Sequence, residues 1–283
     1  MIGGWFITAG AAFIVSFLIA TLNHFGGFVA MLLVMCLVAF VIINNNRKFK
    51  QKREQDNVDT LFRQLVRSHD KAETWDLLIQ HVRRTQGDVL TFTRDTFRNI
   101  TQGLMHENMK QLRTAAHAIE DEKGILMRYR LKESFGMRII DYLLAVEKNT
   151  GVHLGCNSST QLIYGLKRML EPCIEHVDNN FKPLPQDYID ELIPLCNDVD
   201  KFLEEARRMI TTGDFDGADE LLVEGNAIKS RISQIRHSQQ DRIQREDSNI
   251  KVALLYLSTL QETQELMSIS RHLLRASKRF QVQ

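Results

Sequence analysis

Two apolar runs open the chain, Met1 to Leu22 and Phe28 to Ile43, joined by Asn23-His24-Phe25-Gly26-Gly27, and no Lys, Arg, Asp or Glu precedes Arg47. Wound as helices at about 1.5 Å per residue, the runs approach the roughly 30 Å hydrocarbon core of a bilayer. The pattern predicts a transmembrane helical hairpin over residues 1–46. Arg47, Lys48, Lys50, Lys52 and Arg53 follow the second run directly, which by the positive-inside rule keeps both chain ends cytoplasmic. A secretory leader would place basic residues before a single short run instead. Thr8, Ala12, Ser16 and Ala20 recur every fourth residue, a small-residue stripe that lets helices approach closely in lipid and points to further helix partners.

Beyond a basic linker at residues 47–56, the period changes to alternating threes and fours. Val58, Leu61, Leu65, Ser68, Ala72, Trp75, Ile79 and Val82 form one predicted seam, read as a continuous helix ending at Gly87-Asp88. Leu90, Phe97, Ile100 and Leu104, then Met105, Met109, Leu112, Ala116 and Ile119, give a second, with Gly124 as a candidate interruption. Phe135, Ile139, Tyr142 and Val146 share one face of a third, ending near Asn149-Thr150-Gly151. These helices make a first bundle over 57–150. Residues 151–186 read as a connector of short helices, because Pro172, Pro183 and Pro185 interrupt it.

A second bundle is predicted over 187–283. Its first seam is Ile189, Leu192, Cys196, Val199, Leu203, Ala206 and Ile210, bent at Pro194 and stopped at Gly213. Asp214 caps the next helix, which carries Ala218, Leu221, Gly225, Ile228, Ile232 and Ile235. Ser248 caps the last, whose face holds Leu266, Ile269, Leu273, Ala276 and Phe280, with Val252, Leu255, Thr259 and Glu262 in phase upstream. The expected fold class is all-α: a two-helix transmembrane hairpin followed by two three-helix bundles.

Charge and candidate chemistry change this picture little. The 36 basic and 35 acidic residues nearly cancel, so there is no nucleic-acid footprint. The basic cluster beside the second run suits a stop signal and a contact to anionic headgroups. Cys36, Cys156, Cys173 and Cys196 form no CxxC pair and read as reduced thiols. Ser68-His69-Asp70 could accept a phosphoryl group, but no Gly-rich phosphate loop accompanies it. No nucleophile elbow occurs either, so the chain is not read as an enzyme. Glu171, Cys173, Glu175, His176 and Asp178 combine metal-ligand types at helical spacing and are the candidate metal set, with an exposed polar face as the alternative. Arg271, Arg275, Lys278 and Arg279, with His272 among them, suit the C-terminal end of a helix dipole and are a candidate anion site.

The opening Ile2-Gly3-Gly4-Trp5-Phe6-Ile7-Thr8-Ala9 resembles one of the last membrane helices of the PiT family of inorganic phosphate transporters. Cys156-Asn157-Ser158, Leu166-Lys167-Arg168-Met169, Glu171-Pro172-Cys173 and Glu175-His176-Val177-Asp178-Asn179-Asn180-Phe181 resemble the cytoplasmic tail of its Bacteroidetes-type members. So do Leu260-Gln261-Glu262-Thr263-Gln264-Glu265 and Arg271-His272-Leu273-Leu274-Arg275-Ala276. Such tails are similar to PhoU, a protein of two three-helix repeats.

The resemblance implies symport of inorganic phosphate with a cation, sodium or proton, in the inner membrane. The family's GANDxxN-type transport motifs are absent from these residues, so the chain corresponds to the C-terminal portion, and phosphate would reach it only through the remaining transmembrane core. Its expected partners are that core and the lipid bilayer, with a homo-oligomer left open. The alternative is a stand-alone membrane-anchored PhoU-like interaction protein. The ExxxD metal motifs of PhoU are incomplete here: Met137 stands at the carboxylate position ahead of Asp141, and Leu266 at the partner position of Glu262.

Overall fold

The computed structural model describes residues 60–68, 70–140, 142–244 and 249–281. The expected hairpin at 1–46, the linker at 47–56, and His69, Asp141 and Ser248 lie outside them. The chain divides into two units, Met1–Asp59 and Thr60–Gln283, and all the described residues belong to the second. They are all-helical: α1 (60–67), α2 (Lys71–Met105), α3 (Met109–Ile139), α4 (Tyr142–Asp178), α5 (Gln186–Thr212), α6 (Ala218–Gln244) and α7 (Ile250–Gln281). Among them no helix is long and apolar enough to cross a membrane.

Side-chain caps explain several boundaries. The seam expected to run unbroken from Val58 to Val82 stops at Ser68, because the Asp70 carboxylate accepts the Ala72 N–H at 3.0 Å and restarts the helix as α2. Ser68 Oγ donates to Glu73 at 2.7 Å across the same junction, so these residues serve as punctuation. The break expected at Gly87-Asp88 lies instead at 106–108, where Glu107 takes a left-handed φ of 49° and the Asn108 side chain accepts from Gln111. Gly213 ends α5 in the left-handed conformation, as its type favours. Asp214 does not cap α6; its carboxylate closes a local turn by accepting from Asp216 N–H at 3.0 Å.

The connector expected over 151–186 is the largest correction. Residues 142–178 form one 37-residue helix containing Pro172, and only 179–185 lie outside helix before α5. Proline removes one backbone bond and bends a helix, but a helix packed on both sides of the bend continues through it. Here α4 packs along both α3 and α7. Gly124 likewise lies inside α3.

Packing follows a regular scheme. The helices α2, α3 and α4 contact one another, as do α5, α6 and α7. The groups join chiefly through α4 on α7 and α2 on α5, whereas α3 and α6 touch only members of their own group among α2–α7. Equivalent helices therefore meet each other, the arrangement a local two-fold relation produces. One apolar core runs through both groups, from Leu90, Phe97 and Leu162 to Phe202, Tyr256 and Leu273. A smaller cluster at one end gathers Leu65, Trp75, Val82, Met137, Val152 and Phe280. The two expected bundles thus share one core instead of forming separate domains.

Candidate functional site

The five candidate metal ligands do not converge. Cys173 and His176 face the core: the Cys173 thiol donates to Met169 O at 3.1 Å, and His176 Nε2 bonds Lys182 O at 2.9 Å. Burial pushes the Cys173 thiol up to about 12. Glu171, Glu175 and Asp178 occupy the solvent face of α4, where Glu171 pairs with Lys167 at 3.7 Å and Asp178 with Arg113 at 3.1 Å. Spacings of three and four sort these residues onto two opposed faces, so similar ligand types along one helix do not make one site. Among the described residues no group of three His, Cys, Asp or Glu side chains is placed to hold a metal ion.

The incomplete ExxxD positions serve packing. Met137 lies in the smaller apolar cluster, Leu266 is buried, and Glu262 pairs with Arg168 at 3.0 Å. The cationic end of α7 is likewise dispersed. Lys278 reaches Asp219 at 3.3 Å, Arg275 and Arg279 are exposed, and Arg271 is buried with its stem laid in the gap left by Gly225 against Phe202. Burial and the Arg275 charge together lower the Arg271 pKa.

The structure brings together a buried acid that sequence reasoning passed over. Glu133 of α3 is fully enclosed, with Thr85 Oγ at 2.6 Å from Oε1 and Cys156 Sγ at 2.8 Å from Oε2. Burial drives its carboxyl strongly upward, and the two hydrogen bonds only partly oppose this. The Thr85 hydroxyl also lies 3.1 Å from Val82 O. Both neighbours donate to the carboxyl, Thr85 to Oε1 and Cys156 to Oε2, and the Thr85 hydroxyl divides its one proton between Glu133 and Val82 O. Eleven positions earlier on α3, burial and the Asp88 charge push Glu122 up to about 7. In sequence, only the spacing of Glu122, Tyr129 and Glu133 along the inner face of α3 signals the site.

A second feature lies on the surface. Phe135, Tyr142 and Val146, expected on the bundle-facing side of one helix, are split between α3 and α4 and exposed. Helix α3 ends before residue 140, so their common phase is broken. Between the two helices is a groove of about 330 Å³ lined by Arg130, Ser134, Arg138, Tyr142, Asn149 and His153 among others. Met127 and Leu131, also exposed, continue the apolar surface along α3.

No protein-family model matches the chain, and no curated protein matches it.

Proposed function

We propose that the chain is the C-terminal portion of an inorganic phosphate:cation symporter, a membrane hairpin carrying a PhoU-like cytoplasmic domain that regulates the transport core. The observation that carries this reading is the succession of sequence stretches resembling that family, from Gly3-Gly4-Trp5-Phe6 to Arg271-His272-Leu273-Leu274. Two groups of three helices, joined through equivalent members, are the architecture a PhoU-like repeat calls for. In this reading the domain holds no metal cluster at the incomplete ExxxD positions and acts by contact with the core. The coupling cation, sodium or proton, binds in the remaining transmembrane helices, as does phosphate.

The test is phosphate uptake in a transporter-deficient cell. This chain alone gives none, and uptake by it would overturn the assignment of the pathway to other helices. Removing residues 56–283 from the transporter that contains this sequence changes the uptake rate. An unchanged rate would overturn the regulatory role and favour a stand-alone membrane-anchored interaction protein.

A further inference from the structure

The geometry points to the α3–α4 tip as a second, lipid-facing contact of this chain, docking on the anionic headgroups of the bilayer that the N-terminal hairpin enters. The inference rests on the membrane reading of residues 1–46 and extends it from an anchor to an oriented domain. Three observations meet at this tip. The first is apolar surface without a core partner: Met127 and Leu131 on α3 are 68% and 66% exposed, and Tyr142 at the start of α4 is 77% exposed. A stripe of this kind on a charged helical surface suits the boundary between headgroups and acyl chains.

The second observation is charge. Arg128, Arg130 and Arg138 are exposed around these side chains, and Lys132 is half-buried over the Phe62 ring. Over residues 127–154 the opposing carboxylates are Glu147 and, in the sequence, Asp141, since Glu133 is buried away from the surface. Arg130 and Arg138 stand two turns apart along the groove, with Ser134, Asn149 and His153 as further polar groups. Each guanidinium group can pair with the phosphodiester of a separate lipid headgroup.

The third observation is where the chain arrives. Phe62 of α1 lies edge-on to Phe135 at 5.8 Å, so the segment leading from the apolar runs joins the second unit beside this tip. Residues 47–59 separate the charge-free stretch from α1. Fully extended, a segment of that length spans at most roughly 45 Å. Basic residues in that segment and on the tip would act on the same anionic leaflet.

The experiment uses the full chain in bilayers of phosphatidylcholine with or without phosphatidylglycerol, with lipids brominated along the acyl chain as tryptophan quenchers. In the parent chain, quenching of Trp5 tests the hairpin by itself, because Trp75 is buried. In Trp5→Phe/Leu131→Trp, the new indole is expected to be quenched when phosphatidylglycerol is present. In the same Trp5→Phe background, Val223→Trp on α6, another exposed apolar position, serves as the remote control and stays unquenched. Adding Arg128→Gln, Arg130→Gln and Arg138→Gln abolishes quenching at position 131. An unquenched indole at position 131 beside a quenched Trp5 overturns lipid docking and leaves the hairpin standing. An unquenched Trp5 overturns the hairpin reading and, with it, this orientation. An indole at position 131 shielded from both lipid and aqueous iodide in a cross-linkable dimer overturns lipid docking in favour of a second copy.

Discussion

Glu133 illustrates how burial and hydrogen bonding act in opposite directions on a single acid. Its site has almost no room for water, a void of about 10 Å³, and this burial raises its pKa, while the Thr85 and Cys156 donors pull the other way. Glu122 acts in the same direction, with burial and Asp88 raising it to about 7. Both groups have folded-state pKa values above their unfolded ones, so the folded state holds protons that the unfolded chain releases above about 4.5. Their contribution is complete below that point and is lost as pH rises through the folded values, about 7 for Glu122. The stability of the folded unit is therefore expected to fall between about pH 4.5 and 7, by on the order of 3 kcal/mol for Glu122 alone. Urea titrations across that range check it. Glu122→Gln flattens the slope, and Glu133→Gln leaves the fold intact because an amide can donate to Thr85 and accept from Cys156. A stability that rises over this interval in the parent and both variants would refute the assignment.

At the scale of the element, glycine shows why some helix boundaries were legible and others were not. Gly213 reads correctly as a stop, because its left-handed φ of 75° is the conformation that glycine alone adopts without strain. Gly87 and Gly151 carry the same letter for another reason. A Cβ at Gly87 would lie 2.4 Å from Thr211 Cγ2 on α5, and one at Gly151 would lie 3.0 to 3.2 Å from Phe280 Cβ, Cα and N on α7. They mark close approaches between helices, which local sequence cannot distinguish from turns. Apolar seams were more dependable: Leu192, Val199, Leu203, Ala206 and Ile210 of α5 are all buried, as are Leu266, Ile269, Leu273, Ala276 and Phe280 of α7. The Phe135–Val146 stripe failed because periodicity records a common face only while the helix is unbroken. The candidate site was less legible still, since Thr85, Glu133 and Cys156 come from three helices and meet only through tertiary packing. Gly151→Val presses on backbone that cannot rotate away, and is expected to destabilise by about 1–3 kcal/mol in urea titration. Gly124→Ala, whose Cβ meets nothing within 4 Å, is expected to stabilise by about 0.5–1 kcal/mol. Equal effects at the two positions would remove the distinction drawn between them.

For the whole unit, the question is whether two groups of helices behave as two domains. The repeated order of three helices invites that reading, and boundaries at 150 and 187 would place a linker between them. In its place stands α4, which closes the first group and packs along α7 of the second. The shared core passes from Leu162 and Leu166 of α4 to Leu266 and Leu273 of α7. Polar ties cross the same boundary: Arg98 reaches Asp200 at 2.5 Å, Arg83 donates to Gln281 at 2.6 Å, and Ser277 donates to Gln86 at 2.5 Å. Separating the groups would expose the apolar faces of α4 and α7 together and strand the buried pair Gln86 and Ser277. Cooperative unfolding follows, because neither group retains a complete core without the other. Hydrogen exchange along a urea series should therefore show amides in α2–α4 and α5–α7 losing protection at one midpoint, and residues 187–283 produced alone should give no cooperative transition. Two separated midpoints would mean that the groups fold independently and that the α4–α7 contact is a docking surface. One midpoint would mean that the two groups of helices unfold as a single cooperative unit.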